Sequence, residues 1–149
     1  MEFINFIVCG IAAVLAMTLF SIIWGKITNN LFSEPQLLAK IIKNAYKEKV
    51  SFSTALLLGW IIHFMIGFTF LGLYELLWSV LSWEKALLLS IPLGLFSGIL
   101  GSIGWKILFK LVDYTAKFNH LHYYIHLIFA HVVFSVIAVL VYLNLETLG

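Results

Sequence analysis

The sequence predicts an all-α fold: a polytopic membrane four-helix bundle with a short amphipathic interfacial helix between spans one and two. Three observations predict it. Of the 149 residues 62% are hydrophobic and 11% charged, against about 25% charged in a soluble domain. The apolar residues gather in four runs, each long enough for the ~20 residues that cross a bilayer. All nine basic residues are lysine, and eight of them fall in two alternate connections.

Span one is read at 3–24. It is expected to be retained, because Met1-Glu2 supplies no basic region and its apolar run exceeds the ~7–15 residues of a signal peptide core. Spans two, three and four are read at 54–80, 86–105 and 122–143. LSWEK joins spans two and three too tightly for anything but an antiparallel hairpin. The chain is expected to form one transmembrane domain, 1–149, with no room for a separate soluble one.

The connection from Gly25 to Ser53 holds its own helix, read at 34–47. Ser33 stands as a cap, Pro35 in the first turn, and Gln36 in capping-box position. Leu37, Leu38, Ile41 and Ile42 recur at helical spacing, with Lys40, Lys43 and Lys47 opposite. A lysine-faced helix of this kind is expected at the membrane surface, meeting anionic lipid headgroups; docking to a partner protein is the alternative.

Orientation follows from the lysines. Lys26, Lys40, Lys43, Lys47 and Lys49 share one side with Lys106, Lys110 and Lys117, leaving only Lys85 opposite. The positive-inside rule then puts both large loops in the cytoplasm and both termini outside a bacterial plasma (inner) membrane. Trp24, Trp105, Tyr123 and Tyr124 fit an inner aromatic belt, and Trp78, Trp83 and Tyr142 an outer one.

Span three carries Ser90, Gly94, Ser97, Gly98, Gly101 and Gly104 at three- and four-residue steps. Such a stripe lets helix backbones approach closely, within the chain or in a second copy. Pro92 is expected to kink it.

Depth ranks the titratable residues. His63 lies about nine residues into span two and His131 about nine into span four, both roughly 14 Å deep. Ionisable residues near the midplane are expected to face the bundle interior. Gly59 and Gly67 flank His63 on one helix face, leaving room for haem b held by His63 and His131, or for another helix. His122 and His126, at i and i+4, could chelate a transition metal with His120, or simply sit at headgroup depth. Asp113 could reach that site only by a fold-back of its loop. Glu75, the one acid within a span, could join a proton path or snorkel to the outer interface. Cys9 is the single cysteine, which excludes an internal disulfide and cysteine-paired zinc or iron–sulfur patterns. No nucleophile motif, phosphate loop or nucleic-acid motif is present.

GWIIHFMIGFTFLGLYELL from Gly59 resembles a pattern in uncharacterised small four-span bacterial inner-membrane proteins with a GWxxHFxxG second span. The matching positions are Gly59, Trp60, His63, Phe64, Gly67, Tyr74 and, in the last span, His131. That family implies the four-span architecture and directs interest to His63; it has no established activity to carry over.

The expected function is a non-enzymatic accessory, assembly or packing role in the membrane, with self-association or a membrane-complex partner. One alternative is a bis-histidine haem or metal subunit for electron transfer or sensing. The other is a small proton-coupled transporter using His63, His131 and Glu75.

Overall fold

The computed structural model describes residues 2–46, 49–82, 84–112 and 119–148. Five helices follow one another: α1 (Phe3–Thr28), α2 (Glu34–Ala45), α3 (Phe52–Leu81), α4 (Leu87–Leu111) and α5 (His120–Leu148). Four of them, all but α2, are long and apolar enough to cross a membrane. Lys47, Trp83, Asp113 and Lys117 lie outside the described residues.

The spanning helices outrun the apolar stretches that announce them. α1 continues past Trp24 to Thr28, and α4 past Trp105 to Leu111. Hydropathy marks only the apolar part of a helix, whereas the backbone ladder continues until something stops it. For α1 the stop is Asn29, in left-handed geometry at φ 54°, followed by Asn30 N–H donating to the Gly25 carbonyl at 2.8 Å. This is a C-terminal cap of the kind asparagine tolerates.

Helix starts show a similar substitution of one device for another. α2 begins where the sequence places it, yet Ser33 makes no side-chain cap bond and Gln36 is exposed, so the capping box is not formed. The working caps lie elsewhere. Ser51 Oγ accepts from Thr54 N at 3.1 Å at the head of α3. Asn119 Oδ1 accepts from Leu121 N and His122 N at 3.0 and 3.2 Å, which sets α5 at His120. α4 runs unbroken through Pro92.

In space the helices adjoin in the order α4, α5, α1, α3, α2. α3 and α4, consecutive in the chain and expected as an antiparallel hairpin, are not extended neighbours. The reason lies in their small-residue faces. A Cβ on Gly94 would stand 2.5 Å from Val132 Cα, and one on Gly98 2.6 Å from Ile128 Cα. The close partner of the α4 stripe is therefore α5 of the same chain. α3 instead turns Gly67 to Val14 of α1, and Gly59 to the Pro35 carbonyl of α2. With these small faces engaged elsewhere, Tyr74 Oη bonds Ser97 Oγ at 2.6 Å between α3 and α4, and a cleft lined by Ile62, Ile66, Leu100 and Leu108 lies between the two helices.

The apolar face of α2, a helix expected at the membrane surface, is turned to the bundle. Leu37, Leu38, Ala39 and Ile41 are buried against the bundle, with Lys40 exposed and Lys43 half-buried. Glycine at 59 lets the α2 backbone come that close, and burial on protein removes the apolar face from water as well as burial in lipid would.

Candidate functional site

One helix holds two constellations of buried polar residues. Thr18 and Ser21 stand three residues apart on α1, about 4.5 Å along its axis.

Thr18 receives α3. Its hydroxyl donates to the Val14 carbonyl at 2.8 Å, so the 2.9 Å contact with His63 must be a bond donated by His63 Nε2–H. His63 is buried, with 5% exposure. Thr18→Val, which swaps the hydroxyl for a methyl of similar size, should leave that N–H unpaired. The expected loss is about 1–3 kcal/mol of stability, read as a lower unfolding midpoint of the detergent-solubilised protein. An unchanged midpoint would mean the bond is not made.

Ser21 receives both α2 and α5. Its Oγ donates to Glu34 Oε1 at 2.6 Å and accepts from His126 Nε2 at 3.0 Å. Ser21, Glu34 and His126 are all essentially inaccessible. The His126 ring is stacked on Phe32, with centroids 4.8 Å apart, and on Phe20 at 5.8 Å. Burial raises the Glu34 carboxyl from 4.5 to about 8, outweighing the opposing pull of the Ser21 hydroxyl and its own backbone N–H. At neutral pH Glu34 is therefore chiefly an uncharged acid. Among the described residues its second oxygen, Oε2, has no hydrogen-bond partner.

His131 stands apart from His126, as their angular separation on α5 requires. Its Nδ1 donates to the Leu127 carbonyl at 2.8 Å, leaving the Nε2 lone pair. The ring packs on Phe70 with centroids 5.3 Å apart, and against Gly101, where a Cβ would stand 3.0 Å from Nε2.

His63, His131 and Glu34 line a cleft of about 550 Å³ between α3 and α4. Its walls are otherwise apolar, including Ile62, Ile66, Leu100 and Leu108, and Leu38 and Ile41 of α2 line it as well.

This geometry corrects several expectations. Bis-histidine haem does not fit: His63 Nε2 is turned to Thr18, and the His131 ring lies against Gly101 of α4. Gly59 and Gly67, read as room for haem or for another helix, admit helices: α2 at Gly59 and α1 at Gly67. Nor do His120, His122 and His126 assemble. His120 meets Phe109, with centroids 5.5 Å apart; His122 Nε2 accepts from Trp24 Nε1 at 3.3 Å; and His126 belongs to Ser21. Among the described residues no three His, Cys, Asp or Glu side chains are placed to hold a metal.

Glu75 pairs with Lys85 at 2.8 Å, and that ammonium lies 3.9 Å from the Tyr142 ring centroid. Twelve residues along α3 separate Glu75 from His63, about 18 Å, so the three-member proton path is not assembled.

Sequence reading missed Thr18, Ser21 and Glu34. The available signal was that Thr18 and Ser21 are hydroxyl residues in an apolar span, at a spacing that shares one helix face. No protein-family model, curated protein or solved structure matches this chain.

Proposed function

We propose that the chain is a non-enzymatic accessory subunit of a bacterial plasma membrane, with both termini outside and α2 at the cytoplasmic face. The observation that carries this reading is how its buried polar groups are spent. Thr18–His63 ties α1 to α3, Ser21 ties α1 to α2 and α5, and Tyr74–Ser97 ties α3 to α4. Interhelical bonds of this kind hold a bundle in one arrangement, the requirement on a packing or assembly subunit.

On this reading Lys40 and Lys43 meet anionic headgroups while the other face of α2 grips the bundle. Self-association loses its first argument, because Gly94 and Gly98 are already taken by α5. A different membrane protein is therefore the favoured partner.

Native-gel migration of the full-length chain, extracted gently from its own membrane, tests this. A band well above the monomer, colourless in the Soret region, is expected. A Soret band would overturn the non-haem part of the reading, and a monomer alone would overturn the accessory role.

A further inference from the structure

We propose that the cleft between α3 and α4 binds an uncharged lipid that ends in a hydroxyl, with Glu34 as the anchor of that hydroxyl. This goes beyond the accessory role and does not depend on it.

Size and access come first. A volume of about 550 Å³ sits within the ~300–1,000 Å³ of small-molecule sites. A Cβ on Gly104, in the α4 wall, would meet nothing within 4 Å. Lining residues on both flanks are open to the lipid side: Ile66 is 44% exposed and Ile107 54%. A ligand can therefore enter sideways from the bilayer.

Charge then selects the class. Among the described residues, Glu34, His63 and His131 are the titratable groups of the lining, and no lysine is with them. A phosphate or carboxylate would find no counter-charge there, and an unpaired charge in such surroundings is expensive. The head must be neutral.

Hydrogen bonding narrows it further. Glu34 is 1% exposed, and with Oε1 occupied by Ser21 its acid proton is left on the unpartnered Oε2. The imidazoles offer the opposite function. His63 has given its Nε2–H to Thr18 and His131 its Nδ1–H to Leu127, so each neutral ring keeps a lone pair rather than a donor. A buried donor and two acceptor nitrogens among the lining of one cleft match a group that both accepts and donates. A hydroxyl does; an ether or a ketone only accepts.

The test uses the full-length protein in phosphatidylcholine nanodiscs and three photoreactive probes with one diazirine-bearing C16 chain: the alcohol, its methyl ether and the carboxylic acid. Adducts are mapped by mass spectrometry. The alcohol should label the cleft-facing stretches 62–70 and 100–111 about tenfold more than the ether, the factor one such hydrogen bond supplies. Gly104→Phe, which fills the cleft without touching its polar groups, should suppress that labelling. Glu34→Leu, which removes the donor that both probe oxygens accept from, should lower alcohol and ether labelling alike; if it does not fold, Gly104→Phe carries the test.

Equal labelling by alcohol and ether would overturn the proposal. So would strongest labelling by the acid, or adducts spread over the whole surface and indifferent to Gly104→Phe. Chain-to-chain adducts in place of cleft labelling would overturn it too, by showing a second copy there.

Discussion

Gly98→Leu, and Gly94→Leu with it, should unfold or severely loosen the bundle. At position 98 a Cβ would stand 2.6 Å from Ile128 Cα and 3.2 Å from the Ile128 carbonyl oxygen. These are backbone atoms, so no rotamer change makes room, and α4 must lift off α5. Overpacking a well-filled core costs about 1–3 kcal/mol; with backbone as the obstacle the upper end or more is expected. Gly104→Leu is the matched control, since its Cβ meets nothing within 4 Å. Thermal unfolding in detergent should show a large fall for position 98 and almost none for 104. Equal stability of the two would mean that α4 does not pack on α5 through this stripe.

The second large effect is on α2 and depends on pH. Buried Glu34 holds its proton to about 8, whereas the same carboxyl in water releases it near 4.5. Between those values the docked state carries the extra proton, so docking weakens as pH rises, and the loss is complete above about 8. The slope is about 1.4 kcal/mol per pH unit, or roughly 5 kcal/mol across the window as an upper figure. Below about 4.5 both states are protonated and the dependence disappears. Glu34→Gln, an uncharged amide of the same shape, should abolish it. Hydrogen exchange over α2, compared between wild type and Glu34→Gln at each pH, cancels the intrinsic pH effect on exchange. Wild-type α2 should match the variant near pH 5 and exchange much faster near pH 9. Parallel behaviour at both pH values would show that Glu34 is not buried as described.

Both effects trace to features the sequence displayed unevenly. The four spans were legible because hydropathy over twenty residues is a strong signal, and the α4 stripe because glycines at three- and four-residue steps have few other uses. Its partner was not legible, since no local pattern says which helix receives a small face. The same blindness hid the parting of α3 and α4: a short connection fixes direction, while Gly59 and Gly67 decide neighbours. α2 was found by its 3.6-residue period. Whether its apolar face meets lipid or protein depends on Gly59, a residue in a different helix.

The site was legible as a set of histidines and not as a network. His63 and His131 were picked out by depth and do line one cleft. Their bonding partners, however, are a threonine hydroxyl on α1 and a backbone carbonyl, and neither carries a motif. Glu34 escaped notice because acids are common in a first helical turn, where the helix dipole favours them. Its burial arises only when α2 docks on the bundle and Ser21 of α1 meets it.

His63 and His131 are hydrogen-bonded side chains of a packed bundle rather than ligands. Nitrogen-15 NMR of histidine-labelled, full-length protein in bilayers tests it most directly, with His63→Gln and His131→Gln for assignment. His63 should carry its proton on Nε2 and His131 on Nδ1, both neutral at pH 7. A His63 with unprotonated Nε2, or either ring shifted by a bound metal or haem, would contradict the account.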